Sequence, residues 1–389
     1  MRPLENVRVV DVTVSLAGPY CTQLLGALGA DVIKVERPGA GDETRAWGLG
    51  GESPLFAAAN ANKRSLAADL SKDEGRDVVR RLAEDADVFV QSLRPGLAER
   101  HGLGADELRG RNPRLVYCSI GAFGRQGPLR EEPGYDPLMQ AVGGIMSVTG
   151  EPDGAPVRVG VSLVDQTTAL WAALGILLAL GERERTGEGR TVDVSLYEAA
   201  VSLVSYHVID YLRTGSVAGR HGTAFPLIAP YEAFETADGR LMIAAGNDRL
   251  FARLCDAVGA GDVAADVRFA TNPARVENRA ELKAALEERL RTEPTAAWIP
   301  RLRAARVPAG PVNDVGEVAT AEQTHALGLL QAFAGEELVA PPISFDGERL
   351  AHRSPPPGLG EHTAEVLSEL RDGPRHPTSR ARPRSRPDP

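Results

Sequence analysis

The sequence has few cysteines and no pattern that pairs them. Cys21, Cys118 and Cys255 are the only three in 389 residues, and none stands in a CxxC or Cys/His cluster. A scattered, odd-numbered set argues against a disulfide framework and against a zinc site, so we expect no metal centre. Free thiols of this kind are typical of a reducing compartment, and we expect a cytoplasmic protein.

The sequence also lacks a long apolar run and a surplus of positive charge. Its N-terminus leads directly into the strand-like stretch VRVVDVTV, so we expect no signal peptide. The longest apolar stretch, 169–180, is shorter than the roughly 20 residues that span a bilayer. It predicts a buried helix, and we expect no membrane association. The net charge of −9 argues against nucleic acid as a partner.

Four β-rich runs alternate with helical patterns in the first 125 residues. The runs are VRVVDVTV, DVIKVE, DVFVQS and RLVYCSIGAF. This alternation predicts an α/β fold whose parallel sheet is covered on both faces. In such sheets ligands bind beyond the carboxyl ends of the strands. A smaller α/β pattern follows in the C-terminal half of the chain.

The second run ends on Glu36, where a dinucleotide-binding fold places its ribose-binding acid, and Arg37 follows. A dinucleotide site also needs a Gly-rich turn after the first strand, but only Gly18-Pro19 stands there. Because that turn is missing, we expect Glu36 to be structural. Arg37 has two interpretations: a phosphate ligand, since a guanidinium matches phosphate oxygens, or an exposed partner in a surface ion pair.

Asp165 stands at the head of the long apolar helix. One interpretation is a helix cap, because Asp accepts backbone N–H groups at such positions. A capped position also favours the ionised carboxylate, through the helix dipole and the donated hydrogen bonds. An ionised, oriented carboxylate is suited to act as a nucleophile or base. The residues alone leave both interpretations open.

Seven ordered blocks, which cover the chain up to about Leu370, resemble the class III CoA-transferase family, a family that includes formyl-CoA transferase and carnitine CoA-transferase. The blocks are LAGPYCTQLLGALGADVIKVERPGAGDETR, NANKRSLAADL, NPRLVYCSIGAFGRQGP, GYDPLMQAVGGIMSVTG, GILLALGERERTGEGRTVDVSLYEA, VPAGPV and GLGEHTAEVL. A single block would be a weak signal, whereas seven in the same order are specific.

The resemblance implies a Rossmann-like large domain with a parallel sheet, a small α/β domain, and a homodimer of two interlocked chains. The large CoA-binding domain would span 1–200 and be completed by 325–371, with a linker at 201–230 and the small domain at 231–324. The Pro- and Arg-rich stretch 372–389 cannot bury a core, and we expect it to be disordered.

The resemblance further implies that coenzyme A, as an acyl-CoA substrate, is the ligand. It assigns the catalytic aspartate to Asp165 and the adenosine-phosphate contact to Arg37. The other implied CoA contacts are Leu16, Ala17, Ala68, Asp69, Leu70, Ser71, Ser92, Leu93, Arg94, Arg100 and Tyr135. The implied substrate loop consists of Ala245, Gly246 and Asn247. Leu16 replaces a glutamine of formyl-CoA transferase, and the loop has fewer glycines, so formate/oxalate specificity is not implied.

The implied reaction moves CoA from an acyl-CoA thioester to a free carboxylic acid, through an aspartyl-acyl anhydride and an aspartyl-CoA thioester. Backbone N–H groups near Gly246 and at the start of the Asp165 helix would stabilise the oxyanions. A loop closing at 244–249 would exclude water. No metal or redox cofactor is needed.

Two alternatives remain. The related 2-methylacyl-CoA racemases, or epimerases, use a His/Asp pair, but Tyr135 stands in the place of their histidine, which favours transfer. A non-catalytic acyl-CoA-binding protein would be expected to lack the aspartate that is present here.

Overall fold

The chain forms two compact units. The computed structural model describes residues 2–48, 53–333 and 335–372. The first unit contains the described residues of Met1–Gly144, Val159–Ser205 and Glu322–Pro389, and the second contains Ile145–Arg158 and Tyr206–Ala321.

These bounds differ from the expected domains in four stretches: 145–158 and 206–230 belong to the second unit, and 201–205 and 322–324 belong to the first. The stretches 145–158 and 206–230 are tied to each other by hydrogen bonds. The Gly222 N–H donates to the Gly150 carbonyl at 2.9 Å, and the Arg220 guanidinium donates to the Gly154 carbonyl at 2.6 Å. Of the tail expected at 372–389, all but Asp372 lies outside the described residues.

The strands follow one another along the chain in this order: β1 (Arg8–Val12), β2 (Asp31–Glu36), β3 (Lys63–Ala67), β4 (Val88–Gln91), β5 (Val116–Gly121), β6 (Thr191–Ser195), β7 (Tyr231–Glu235), β8 (Arg240–Ala244), β9 (Ala309–Pro311), β10 (Leu330–Phe333), β11 (Glu336–Val339), β12 (Ser344–Phe345) and β13 (Glu348–Arg349).

The first unit is built on a six-stranded sheet in the order β3-β2-β1-β4-β5-β6, and every pairing in it is parallel. The predicted parallel α/β sheet is therefore confirmed. The strand order reverses between β1 and β4, which is the point where ligands dock in open sheets of this type. Antiparallel pairs β10–β11 and β12–β13 complete the unit, and the second unit has the antiparallel sheet β7-β8-β9.

The α-helices are α1 (Ala17–Ala27), α2 (Pro54–Asn60), α3 (Asp73–Glu84), α4 (Leu97–Arg100), α5 (Ala105–Arg111), α6 (Asp136–Val142), α7 (Leu163–Thr186), α8 (Leu196–Leu203), α9 (Ser205–Thr214), α10 (Asp248–Ala257), α11 (Gly261–Ala265), α12 (Asn272–Glu277), α13 (Arg279–Leu290), α14 (Thr295–Ala304), α15 (Val315–Thr320), α16 (Glu322–Ala326) and α17 (Thr363–Asp372).

Helices cover both faces of the parallel sheet. On one face, side chains of β1, β2, β3 and β4 form a buried cluster with α3, α5 and α17, in which Val10, Phe89 and Val366 are fully enclosed. On the other face, α1 and α7 pack on each other, and α7 also packs on β5 and β6. The two-sided cover explains why β1 and β4 are buried along their whole length and are rich in valine.

Helix α7 differs from the prediction of a buried helix, because one of its faces is open. Ala169, Ala172 and Ile176 are fully buried, whereas Trp171 and Leu178 are 52% and 66% exposed. Among the described helices, α7 is also the one whose length and composition would suit a membrane span, with 44% of its most apolar window buried. Core helices of α/β domains pass the same test, and α7 packs on the sheet as they do.

Candidate active site

The candidate site lies at the carboxyl edge of the parallel sheet, where most of the expected ligand contacts meet. Leu16 and Ala17 follow β1, Arg37 follows β2, and 68–71 follow β3. The segment 92–94 follows β4. Since all these strands are parallel, their carboxyl ends lie at one edge, as the sequence predicts.

A cavity of about 980 Å³ opens at this edge, on the side of β4, β5 and β6. Of the residues expected at the site, those that line the cavity are Ala17, Ser92, Leu93, Arg94, Tyr135 and Asp165. Those outside its lining are Leu16, Arg37, Ala68, Asp69, Leu70, Ser71 and Arg100. The cavity therefore brings Asp165 together with the β1 and β4 segments, whereas the β2 and β3 segments extend the same edge further along.

Glu36 and Arg37 have different environments. The buried Glu36 carboxylate accepts two hydrogen bonds from Arg45 at 2.7 Å and one from Ser65 at 2.7 Å, so it is held within the fold. Arg37 is exposed. Hydrogen bonds from Ser71 are the main cause of the lowered pKa of Asp69, and the charge of Arg37 lowers this pKa further. Arg37 thus lies near the segment that follows β3, at the edge of the sheet.

Buried polar side chains form hydrogen bonds to the segment between β1 and α1 and fix its position. The Lys34 ammonium donates to the Thr13 carbonyl at 2.9 Å and pairs with Asp42 at 2.8 Å, with both charged side chains fully buried. Asp42 in turn accepts from the N–H of Ser15, whose φ is +67°. A side chain at Gly18 would place its Cβ 2.3 Å from that of Thr13, so only glycine fits this turn.

Asp165 is the third residue of α7, but it does not cap that helix. The N–H groups of Val164 and Asp165 both donate to one carboxylate oxygen of Asp136, at 2.8 and 3.3 Å. Asp136 is the first residue of α6 and is buried. The prediction that helix-start N–H groups stabilise the Asp165 carboxylate, or the oxyanions, is therefore wrong for these two, because Asp136 already occupies them.

The Asp165 carboxyl is correspondingly basic. Burial and the negative charge of Asp136 raise its pKa from 3.8 to about 7. No residue in the described part of the chain donates a hydrogen bond to this carboxylate, so nothing offsets the cost of its charge. One interpretation of the sequence, in which Asp165 itself caps the helix, favoured the opposite direction of the pKa shift. The result is a carboxylate that faces the cavity and retains high basicity.

Tyr135 immediately precedes α6 and is 53% exposed at the cavity wall. Its hydroxyl donates to Glu43 at 3.4 Å, and the charge of Glu43, with burial, raises the pKa of Tyr135 above 10.0. A phenol of this kind is protonated at neutral pH and is a poor substitute for the histidine of a two-base racemase.

The expected substrate loop lies in the second unit, between β8 and α10. Ala245 is buried and its N–H donates to the Pro230 carbonyl at 2.9 Å, while Asn247 caps α10 through the Leu250 N–H. Gly246 is the residue between these two anchors. Closure of 244–249 over a substrate stays a prediction.

Two residues at the site, Asp136 and Gln140, were not predicted. The fully buried Gln140 donates to Asp136 at 2.6 Å and accepts from the Val159 N–H at 2.8 Å. Their signal in the sequence is modest: an Asp-Pro helix start with a glutamine one turn later. Among the described residues, no group of three or more His, Cys, Asp or Glu is arranged to hold a metal ion.

Comparison with known proteins identifies the class to which this fold and site belong. The family model for CoA-transferase family III matches residues 4–363, and the chain belongs to that family. It is therefore a CoA-transferase of class III, as the resemblance implied.

Individual relatives support the same conclusion. The chain is 42% identical to a succinate–glutarate CoA-transferase of Agrobacterium fabrum, covering 95% of this chain and 96% of the relative. It is 39% identical to the mouse succinyl-CoA:glutarate CoA-transferase, over 95% and 87% of the two chains. It is 40% identical to the acetyl-CoA:oxalate CoA-transferase of Acetobacter aceti, over 95% and 96%.

Solved structures agree on the fold. The crystal structure of a CaiB/BaiF family protein from Brucella suis superposes with a TM-score of 0.87 at 42% identity, covering 95% of this chain and 99% of that one.

Proposed function

We propose that this CoA-transferase works through covalent catalysis by Asp165. The observation that carries the proposal is the Asp165 carboxylate itself: it lines the cavity at the carboxyl edge of the sheet, lacks a hydrogen-bond donor among the described residues, and has a pKa raised to about 7. A basic, poorly solvated carboxylate is a better nucleophile than an ordinary surface aspartate.

The first half of the reaction loads CoA onto the enzyme. A carboxylate oxygen of Asp165 attacks the acyl carbonyl of the donor thioester, the C–S bond breaks, and CoA leaves as the thiolate. The product is a mixed anhydride between Asp165 and the acyl group. The thiolate then attacks the Asp165 carbonyl, which gives an aspartyl-CoA thioester and releases the donor acid as its carboxylate.

The second half reverses these steps with the acceptor. The acceptor carboxylate attacks the Asp165 carbonyl, forms a new anhydride and releases CoA thiolate. The thiolate attacks the acceptor carbonyl, so acceptor acyl-CoA and the free Asp165 carboxylate are formed. Each step exchanges one acyl bond for another, so the thioester energy is conserved. Water must be kept from the anhydride, which the proposed closure of the loop 244–249 would achieve.

Coenzyme A would lie along the edge of the sheet. Its thioester end belongs in the cavity beside Asp165, and its phosphates would extend past β1 towards Arg37 and 68–71. The exposed guanidinium of Arg37 supports a phosphate contact there, since it can bind phosphate oxygens bidentately. Leu16, Ala17, the 92–94 segment, Arg100 and Tyr135 remain the other proposed contacts.

The proposed substrates are succinyl-CoA as donor and a short dicarboxylic acid, such as glutarate, as acceptor. The support is the pair of relatives named for succinate and glutarate, which the chain matches over almost its whole length. The proposed active form is a homodimer of interlocked chains in the cytoplasm. The open apolar face of α7 supports a second copy of the chain as its cover, because exposed faces of that size usually mark contact surfaces.

The decisive experiment combines a substrate screen with trapping. Purified protein is incubated with succinyl-CoA and a series of free acids, and new thioesters are detected by mass spectrometry. Hydroxylamine added during turnover converts an activated Asp165 to its hydroxamate, which is located by peptide mass. Asp165→Ala is expected to lose transfer by several decades. If that variant keeps more than about 1% of activity, the covalent route is wrong.

A further inference from the structure

Two carboxylates lie at the start of α7, and the one from another helix accepts the backbone N–H groups there. The first N–H groups of any α-helix have no partner within the helix, and the side chain of the preceding residue commonly accepts one of them. That residue is Ser162 here, and its side chain caps nothing. Asp136, which is 29 residues away in the sequence from Asp165, accepts the N–H groups of both Val164 and Asp165 instead.

The Asp136 side chain is fixed in this role. It is 2% exposed, and its second oxygen accepts a hydrogen bond from Gln140 at 2.6 Å. Gln140 also accepts a hydrogen bond from the Val159 N–H at 2.8 Å, so α6 also binds the segment that precedes α7. No arginine, lysine or histidine of the described residues forms an ion pair with Asp136. A buried, unpaired charge is costly where a neutral cap would satisfy the same N–H groups.

Other ionisable side chains do not account for the state of Asp165. The elements packed against α6 and α7 carry Tyr20 and Cys21 in α1, Tyr117 and Cys118 in β5, Asp193 in β6, and Tyr197 and Glu198 in α8. Apart from burial, the group that acts on the pKa of Asp165 is Asp136. Asp193 is paired with Arg125, and Glu198 is bonded to Ser195.

We infer that Asp136 is a positioning residue for CoA transfer: its buried carboxylate takes the backbone donors at the start of α7 and thereby leaves the Asp165 carboxylate oriented, poorly solvated and nucleophilic. The inference rests on the proposed role of Asp165 as the nucleophile. It explains why a charged residue serves as the cap, since a neutral cap would hold the helix equally well but would not make its neighbour more basic.

The test removes the charge and keeps the helix cap. Asp136→Asn retains one oxygen for the two N–H groups and removes the negative charge, but it loses the hydrogen bond from Gln140, because two amide NH2 groups would face each other. We expect the acidic limb of the kcat/KM profile to move to lower pH by on the order of one unit, with the KM for acyl-CoA nearly unchanged. The matched control is Glu198→Gln, which removes a carboxylate from the same cavity wall on α8; the acidic limb should then stay in place.

A second readout is independent of catalysis. Carbon-13 NMR of protein labelled in the aspartate carboxyl groups reports the titration of Asp165, whose resonance is assigned by its loss in Asp165→Asn. In the wild type it should titrate near 7, and in Asp136→Asn at lower pH. Titration of the wild-type group near 3.8, or an unchanged midpoint in folded Asp136→Asn, overturns the inference. Transfer by Asp165→Ala would instead overturn the proposed function and leave the NMR result standing.

Discussion

At the scale of single residues, two carboxylates at helix starts differ in whether they receive the backbone donors. Asp136 and Asp165 are both at helix starts, yet Asp136 accepts three hydrogen bonds and Asp165 accepts none from the described residues. One carboxylate is thereby a structural cap and the other a basic group at a cavity. Pairs of carboxylates with divergent environments are a recurrent source of distinct acid–base roles.

The first prediction concerns the pH dependence of transfer by the wild type. Asp165, the proposed nucleophile, must be ionised to attack, and burial with the charge of Asp136 raises its pKa to about 7. We expect kcat/KM to rise as pH increases and to level off above about 8, since this parameter reports the ionisation of the free enzyme. A profile already flat from pH 5 upwards would show that the Asp165 carboxyl has an ordinary pKa.

The second prediction concerns stability at the same residue. Because the pKa of Asp165 is higher in the folded chain than its ordinary 3.8, ionisation opposes folding, and wild-type stability is lost as pH rises from about 4 to about 7. Asp165→Asn removes this cost. Its melting temperature should therefore exceed that of the wild type at pH 8, with the difference shrinking towards pH 4. Equal melting temperatures at pH 8 would contradict the raised pKa.

The third prediction tests the remote phosphate contact. Arg37→Ala should raise the KM for acyl-CoA by roughly 10- to 150-fold. This range corresponds to the loss of one charge-assisted hydrogen-bonded pair, which contributes about 1.5–3 kcal/mol. Saturated turnover should be nearly unchanged, since a phosphate far from the thioester is bound alike in the ground and transition states. Dephospho-CoA thioesters are the control for a 3′-phosphate contact. If Arg37 makes that contact, the wild type and Arg37→Ala should bind these thioesters equally well. An unchanged KM would make Arg37 a surface charge only.

At the scale of elements, the sequence predicted the apolar strands and missed the polar one. β1, β2, β4 and β5 were predicted from their Val- and Ile-rich runs and are present. β3 has the sequence KRSLA, so no hydrophobic pattern marks it, although Lys63 and Ser65 are buried. Their burial depends on partners elsewhere in the chain: Lys63 pairs with Asp11 at 3.0 Å, and Ser65 donates to Glu36.

The same limit applies to the site. Parallel strands predict that the strand-end segments meet at one edge, and the family blocks implied the role of Asp165. The residues alone left open whether Asp165 caps α7, because the true cap lies 29 residues away and only the folded chain brings the N–H groups of 164–165 to Asp136. Local patterns predict elements and their ends, whereas contacts between elements decide which of the two carboxylates accepts the N–H groups at the start of α7.

The fourth prediction concerns the buried ion pair of Lys63 and Asp11, which lies beneath the β1–α1 segment. Asp11→Asn leaves the fully buried Lys63 without its charge partner and should destabilise the fold by about 3–5 kcal/mol. Asp77→Asn, in an exposed pair with Arg80, is the control and should cost about 0–1 kcal/mol. Urea unfolding measures both, and equal small effects would show that the buried pair contributes little.

The same carboxylate gives the fold a dependence on acid. Burial opposes the ionisation of Asp11, but Lys63, Lys34 and two threonine hydroxyls outweigh it and lower its pKa from 3.8 to about 2. A lowered pKa stabilises the folded chain above about pH 4, and that contribution is lost as the pH falls towards 2. Wild-type stability should therefore decrease over this range more than that of Asp11→Asn.

At the scale of the whole molecule, the open face of α7 is the feature that one chain leaves unexplained. Leu170, Trp171, Leu174 and Leu178 are 55%, 52%, 45% and 66% exposed on a helix whose opposite side packs on the sheet. Large apolar patches are rare on the surface of a monomer, and complete burial of a fully exposed Leu contributes about 1.5–3 kcal/mol, so that of a half-exposed one contributes less. A second copy of the chain is the proposed cover.

The fifth prediction therefore concerns assembly. Sedimentation should give the wild type twice the mass of one chain, and Leu174→Arg with Leu178→Arg should shift the mass towards that of one chain, because two buried charges without partners oppose association. Val267→Arg changes an 84% exposed residue outside α7 and serves as the control that keeps the wild-type mass. If the wild type sediments as a single chain, the homodimer is wrong. If the α7 variant remains dimeric and folded, the two chains meet through another surface, and the exposed face of α7 needs a different partner.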